Sequence, residues 1–221
     1  MMRYSHVLSW MLVAALVLAL GGCASFQQGE DDFRVRNGKL YKGDDEFTMR
    51  AIQTPGLGES GGALEAMVPA MAHVAEVGGN TACFDLAGFS EDGSELDPAG
   101  VQTIDVNSHR AKDQRMGTLV RVLGDTTDPD SRKKAVATAA KALRAQGLAV
   151  YWIDGPNAAE LAEVFKKKAP NLVVAAPANG DVEVIDTAPS EAPDHPVLLV
   201  DTIPDFDKAD VNFVLSGDEE D

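Results

Sequence analysis

The fold of this chain follows from residues 63–86, which read ALEAMVPAMAHVAEVGGNTACFDL. Apolar residues recur at helical spacing over Ala63–Glu76, which predicts a helix whose inward face carries Leu64, Met67, Val68, Met71 and Val74. Gly78-Gly79 then stop the helix, and Asn80–Leu86 is a short apolar run typical of a buried strand. A helix followed directly by a buried strand is the repeating unit of a parallel α/β sheet.

The same alternation continues on both sides of this stretch. Strands are predicted over 47–53, 118–123 and 148–153, and helices near 101–115, over 128–146 with Asp128-Pro129 as its cap, and after Asn157. Asn157 and Glu160 have the spacing of a capping box. Short strands at 172–176, 182–185, 197–200 and 211–215 follow without helices between them, and Asn37-Gly38 predicts a tight hairpin turn upstream. The fold class is therefore α/β, with a mainly parallel sheet and a small N-terminal hairpin.

Individual side chains within these helices can also be assigned. The helix over 128–146 is expected to turn Val136 and Leu143 inward and Arg132 outward. His73 falls on the inward face of its helix and is predicted to be a core residue. His109 and His195 are predicted at the surface.

The first 23 residues indicate export and anchoring. Residues 1–22 combine Arg3, an apolar run over 7–20 and small residues at its end, the three parts of a secretory signal. The apolar run is shorter than the roughly 20 residues that span a bilayer as a helix. Leu20-Gly21-Gly22-Cys23 resembles the lipobox of bacterial lipoproteins, although a free cysteine after a cleaved signal would look the same. The resemblance implies an acylated Cys23 that holds the chain in a lipid bilayer.

The predicted organisation is a signal at 1–22, a lipidated polar tether at 23–32, one domain over 33–217 and an acidic tail at 218–221. The predicted location is the cell envelope. Ala24 after the cysteine resembles lipoproteins sorted to the outer membrane, facing the periplasm or the exterior.

Charge and cysteine content limit the possible partners. The net charge is −16, and removal of residues 1–22 takes away one Arg, which leaves −17. So negative a chain argues against binding to nucleic acid and against an electrostatic grip on anionic lipid. Cys83 is the only thiol besides Cys23, and the four His form no spaced cluster, so neither a metal site nor a cofactor is expected.

Three stretches together resemble the front half of the (β/α)-barrel glycoside hydrolases related to cellulases and mannanases. Phe33–Tyr41 resembles the small sheet under those barrels, Phe47–Gln53 resembles their first barrel strand, and Val77-Gly-Gly-Asn-Thr81 resembles the approach to their second. The similarity covers about residues 33–125. It implies an incomplete or remodelled TIM-barrel-like domain, because a full barrel needs roughly 250 residues.

The chain departs from that family where the chemistry is carried. Ala82-Cys83-Phe84 stands where the family usually has an Arg, and Trp152-Ile153-Asp154 stands where the family has Asn-Glu, whose Glu is the general acid. The carboxylates at predicted strand ends are Asp85, Asp125, Asp154 and Asp201, with no Glu among them. These four are the candidate catalytic residues, and they are also ordinary turn and cap residues.

Other polar and aromatic residues near strand ends are candidate ligand contacts. Trp152 is placed either to stack on a sugar ring or to lie in the core. Arg50 and Arg121 are placed either to contact a ligand or to pair with the nearby Asp residues. Gln53 and Asn179 complete the set.

Three functions remain open on the sequence alone. The first is a non-catalytic, membrane-anchored module that binds carbohydrate or an envelope protein, as the missing family carboxylates indicate. The second is an active glycoside hydrolase that uses strand-end Asp residues. The third is a dinucleotide-binding protein, since Gly56-Leu-Gly-Glu-Ser-Gly61 fits G-x-G-x-x-G between a strand and a helix and Asp85 ends the next strand.

Overall fold

The structure is a computed structural model that describes residues 29–54, 56–58, 63–122, 128–187, 193–200 and 212–215. The predictions for Cys23, for the signal and for the acidic tail lie outside these residues. Among the described residues, no helix has the length and apolar character needed to cross a membrane.

Eight parallel strands pair in a ring and close a barrel. Each barrel strand is four to six residues long, and in chain order they are β4 (Arg50–Gln53), β5 (Thr81–Asp85), β6 (Gly117–Val122), β7 (Val150–Ile153), β8 (Val173–Ala176), β9 (Val182–Ile185), β10 (Val197–Val200) and β11 (Asn212–Leu215). Strand β11 pairs with both β10 and β4, which completes the ring. The α/β, TIM-barrel-like prediction is confirmed.

Four helices follow the first four barrel strands: α1 (Ala63–Glu76), α2 (Pro98–Asp113), α3 (Pro129–Leu143) and α4 (Ala158–Lys168). Between β8 and β9 the chain makes only a short turn, and no helix follows β8 to β11 in the described residues. The remodelling of this barrel therefore lies in its helical layer.

A small antiparallel sheet covers the amino ends of the barrel strands. It consists of β1 (Phe33–Arg36), β2 (Lys39–Lys42) and β3 (Asp45–Glu46). Asn37 and Gly38 both have positive φ, 50° and 75°, as the predicted type I′ turn requires. Phe33 and Leu40 are buried against the barrel interior, and the backbone N–H of Phe33 donates to the carbonyl of Gly147, just before β7, at 2.8 Å.

The predicted strand over 47–53 is shorter in the structure. Only residues 50–53 belong to the barrel, whereas residues 45–46, just before the predicted strand, belong to the small sheet. Between them, Phe47 packs edge-on against Phe33 at 5.4 Å.

Alternation along the strands creates two cores. One face of each strand points into the barrel, where Ala51, Cys83, Leu119, Trp152 and Leu198 are buried. The other face, with residues such as Ile52, Phe84, Val120 and Tyr151, packs against the helices. This alternation also determines which residues at the strand ends face the barrel axis.

Three predicted side-chain environments are wrong. Both His73 and Val68 are exposed, because α1 buries the narrower face formed by Met67, Met71 and Val74. Arg132 is buried, since it lies on the same face of α3 as Val136 and Ala139.

The capping box at α4 is also absent. Asn157 has a left-handed backbone with φ of 60°, and its side chain makes no capping bond. Glu160 instead pairs with Lys133 on α3 at 3.0 Å.

The ring closes at a buried asparagine. The side chain of Asn212 accepts from the backbone N–H of Met49 at 2.6 Å and donates to the carbonyl of Val197 at 3.0 Å. One amide thereby joins the starts of β10, β11 and β4. Asn80 has a similar role beside β4, where its side chain accepts from Arg50 N–H and donates to the carbonyl of Thr48.

Candidate functional site

The candidate site is the mouth of the barrel, defined here as the edge formed by the carboxyl ends of the eight strands. Parallel α/β folds place their ligands at this edge. Asp85 ends β5, Arg121 lies near the end of β6, and Asp154 directly follows β7. All three share the inward parity of Cys83, Leu119 and Trp152, so their side chains meet above the barrel interior.

Register brings these residues together. In the sheet Asp85 pairs with Arg121, and Arg121 pairs with Trp152. The guanidinium of Arg121 donates from Nε to one oxygen of Asp85 at 2.6 Å and from a terminal nitrogen to the other at 2.9 Å. Its remaining terminal nitrogen lies 3.7 Å from a carboxylate oxygen of Asp154. One cation therefore holds two of the four candidate acids, which is one of the two roles that the sequence left open for Arg121.

Trp152 forms the floor under this cluster. The guanidinium carbon of Arg121 lies 5.6 Å from the centre of the indole ring, within the range of a cation–π contact. The indole is 3% exposed and belongs to the barrel core. In the described structure its position is that of a core residue capped by Arg121, rather than an open stacking surface.

Electrostatics in the cluster favour the protonated form of Arg121. The hydrogen bonds that Arg121 donates to Asp85 raise the pKa of the guanidinium above its already high usual value, and the charge of Asp154 acts in the same direction. The side chains of Arg121, Asp85 and Asp154 are 26%, 49% and 40% exposed. The cluster is thus accessible to water from above and shielded by Trp152 from below.

Arg132, which was predicted to face solvent, lies beside the same cluster and contacts Asp154. It is 3% exposed and donates to the backbone carbonyl of Asp154 with a terminal nitrogen at 2.5 Å. Its contact with the β7–α4 connection leaves so little room that a Cβ on Gly155 would lie 2.9 Å from the guanidinium. The signal was present in the sequence, since Arg132, Val136, Ala139 and Leu143 recur at helical spacing on one face.

The other candidate residues are distributed differently. Gln53 ends β4 at the mouth, half-buried and paired in register with Cys83. Asn179 also lies near the mouth, but its side-chain amide binds α4, at Glu163 Oε1 (2.9 Å). Asp125 and Asp201 lie outside the described residues.

Arg50 lies away from the mouth. It is the first residue of β4 and therefore lies at the amino end of the barrel, where its Nε donates to the carbonyl of Gly78 at 3.1 Å. Its side chain and the mouth are at opposite ends of the strand.

The glycine-rich segment after β4 packs against the chain itself. A Cβ on Gly58 would lie 1.7 Å from the carbonyl oxygen of Asp85, and the side-chain amide of Asn107 on α2 donates to the carbonyl of Leu57 at 3.1 Å. Close packing on β5 and α2 thus accounts for glycine at 58, and residues 59–62 are not described. Among the described residues, no group of three or more His, Cys, Asp or Glu is arranged to hold a metal ion.

Comparison with known proteins identifies a similar fold but assigns no family. No protein-family model and no curated protein matches the sequence. A solved structure described as a glycoside hydrolase is 13% identical, with a TM-score of 0.51 over 66% of this chain and 40% of that chain. The endo-1,4-beta-mannanase from Rhizomucor miehei is 10% identical, with a TM-score of 0.52 over 76% of this chain and 80% of that one.

This chain therefore spans well under half the length of the first of these proteins. At such identities the likeness is one of fold. The chain has the fold of a (β/α)-barrel glycoside hydrolase, as the sequence resemblance implied, and within the described residues helices follow only the first four strands.

Proposed function

We propose that this protein is a lipid-anchored envelope protein whose barrel binds carbohydrate at its mouth without cleaving it. The observation that carries the non-catalytic part is the pairing of Arg121 with Asp85 and Asp154. Glycoside hydrolysis needs one carboxyl group to give a proton and another to attack or activate water. Both oxygens of Asp85 accept from Arg121, at 2.6 and 2.9 Å, so this carboxylate is engaged within the protein rather than directed at a glycosidic bond.

The placement of the acids supports the same conclusion. Among the described strand ends, none carries a Glu, and the two described Asp candidates share one cation. Such an arrangement is suited to hydrogen-bonding hydroxyl groups. Both the carboxylate oxygens and the guanidinium N–H groups are directed at the mouth, with the half-buried Gln53 nearby.

Binding and cleavage are tested on the mature lipidated protein in detergent micelles. Trp152 is the only tryptophan left once residues 1–22 are removed, so its emission reports on the mouth directly. The probe ligand is β-1,4-mannan oligosaccharide, chosen from the name of the structurally similar mannanase. The expected result is a saturable change in Trp152 emission with no release of new reducing ends.

Variants distinguish binding from catalysis. Asp154→Asn and Asp85→Asn should each weaken binding, whereas Glu76→Gln, an exposed substitution at the end of α1, should not. Reducing ends that appear with the wild-type protein and disappear with Asp154→Asn would establish the active hydrolase instead.

The anchoring part rests on Leu20-Gly21-Gly22-Cys23 and has its own test. Metabolic labelling with an alkyne analogue of palmitate should label the wild-type protein and leave Cys23→Ser unlabelled. An unlabelled wild-type protein refutes the anchor without touching the proposal for the mouth.

A further inference from the structure

We infer that the amino end of the barrel faces the bilayer and that the mouth points away from it, so that carbohydrate reaches the mouth from the side opposite the membrane. The inference rests on the proposed lipid anchor at Cys23. The amino-end face is defined here as the small sheet β1–β3, the starts of the barrel strands and the C-terminal turns of the four helices.

The chain that leads from the anchor joins the barrel at this face. The side chain of Asp31 pairs with Lys112 in the last turn of α2 at 2.7 Å. The carbonyl of Asp32 accepts from Gly43 N–H at 3.1 Å, and Phe33 binds Gly147 just before β7. These residues are thus fixed to the amino-end face by contacts with α2, the small sheet and the segment before β7, and Gly29 is joined to them by hydrogen bonds with Asp32 and Arg34.

The length of the tether decides between the two orientations. From Cys23 to Gly29 the chain spans at most about 21 Å, since six fully extended residues cover about 3.5 Å each. The 16 residues of α2, which run from the mouth to the amino-end face, extend about 24 Å. A tether that starts at the amino-end face therefore cannot pass along the whole domain and bring the mouth down to the lipid.

The distribution of charge agrees with this orientation. All four helices run antiparallel to the barrel strands, so their C-terminal ends gather at the amino-end face, where cations are stabilised by the helix dipoles. Thirteen of the seventeen Lys and Arg residues in the described chain lie there: Arg34, Arg36, Lys39, Lys42, Arg50, Arg110, Lys112, Arg115, Lys141, Arg144, Lys166, Lys167 and Lys168. The four at the mouth end each contact an acid or the carbonyl of Asp154.

The acidic caps have the reverse distribution. Asp97 and Asp128 cap the starts of α2 and α3 at the mouth end. At physiological salt the Debye length is about 8 Å, so acids about 24 Å above the amino-end face are screened from the bilayer. The amino-end face has acids of its own, and Asp31, Asp44 and Glu46 pair with its cations Lys112, Arg36 and Lys39. The charge pattern therefore permits contact with lipid headgroups, and the length of the tether decides the orientation.

Two single-cysteine labels test the orientation in the full mature protein. Asp44→Cys places a label in the turn beside the tether, where the native side chain is 92% exposed. Glu91→Cys places one in the exposed loop after β5, at the mouth end. Cys83 is 2% exposed and Cys23 is acylated, so each fluorophore goes to the introduced thiol.

The labelled proteins are incorporated into phosphatidylcholine vesicles that contain a lipid with a nitroxide on its headgroup, which quenches only nearby fluorophores. The expected result is that the label at 44 is quenched several-fold more than the label at 91. A label at 91 that is quenched as strongly as the label at 44, in protein that floats with the vesicles, overturns the orientation alone. Protein that does not float with the vesicles refutes the anchor and the orientation together, and leaves the carbohydrate-binding test unaffected.

Discussion

The coupling free energy between Arg121 and Asp85 can be measured by a double-mutant cycle. Its size shows whether Arg121 holds the carboxylate of Asp85 at the mouth. The perturbations are Asp85→Asn, Arg121→Gln and the two together. The contact is bidentate, at 2.6 and 2.9 Å. Because the side chains are 26% and 49% exposed, water screens part of the attraction.

The magnitude lies between two limits. Fully exposed ion pairs are worth about 0.2–1 kcal/mol, and hydrogen bonds to charged groups about 1.5–3 kcal/mol. A bidentate pair that stands on a buried indole should therefore couple by about 1.5 kcal/mol. The contact of Arg121 with Trp152 is lost in both arms of the cycle and cancels, provided that the single variants keep the fold.

Asp154 provides an internal comparison. Its carboxylate is 3.7 Å from Arg121 and 40% exposed, so the cycle with Asp154→Asn should give about 0.5 kcal/mol, the value of an ordinary surface pair. Glu76→Gln, at the opposite end of the barrel, should not couple to Arg121→Gln.

The assay is urea unfolding of the mature protein, followed by Trp152 emission and by far-ultraviolet circular dichroism in parallel. The larger coupling should fall when salt is raised to about 1 M, where the Debye length is only about 3 Å. A coupling free energy below about 0.3 kcal/mol for the Asp85 cycle would refute the claim that Arg121 holds the carboxylate of Asp85. Asp85 would then be available for acid–base chemistry.

Three further perturbations test the architecture. Asn212→Leu should lower the free energy of unfolding by about 3 kcal/mol, since it leaves two buried backbone groups of the barrel seam without partners; urea unfolding measures this loss. Gly58→Ala should lower the free energy of unfolding by about 2–3 kcal/mol, because the new Cβ meets the carbonyl of Asp85. Gly56→Ala, at a φ of 84° and with open space around it, should lower it by about 1 kcal/mol. Thermal unfolding compares the two variants. Hydrogen bonds to Asp194 and Glu183 raise the pKa of His195 above 6.5, so wild type should exceed His195→Gln in stability at about pH 6 and lose that advantage as the pH rises through the raised pKa.

Local sequence signals predicted the features of the fold that depend on neighbours in the chain. The Asn37-Gly38 turn, the cap at Asp128 and the alternation of strands with helices all follow from residues a few positions apart. Asp128 does accept from the backbone N–H of Ser131, at 2.8 Å. The same local pattern was wrong at Asn157, where the turn through Gly155 and the pairing of Glu160 with α3 override the capping box.

The features of the site depend on register between strands, which no short stretch of sequence contains. Asp85, Arg121 and Trp152 were each identified as candidates, yet their arrangement as an acid, a cation and a floor follows only from the pairing of β5, β6 and β7. Arg50 has the same residue type as Arg121 and a similar apolar context, and it lies at the other end of the barrel. Position along the strand, rather than residue type, separates a mouth residue from an amino-end residue.

Closure of the barrel shows how a chain shorter than a full (β/α)-barrel can still supply eight strands. A full (β/α)-barrel needs many residues because each strand carries its own helix, whereas β8 and β9 here are joined by a turn of a few residues. A strand without a helix leaves the outer face of the sheet less covered, so the second half must take its stability from inside the ring. The buried Asn212 seam and the interior residues Val182, Leu198 and Val214 supply that. The half of the barrel whose strands are followed by helices also carries the Arg121 cluster, where we propose that carbohydrate binds.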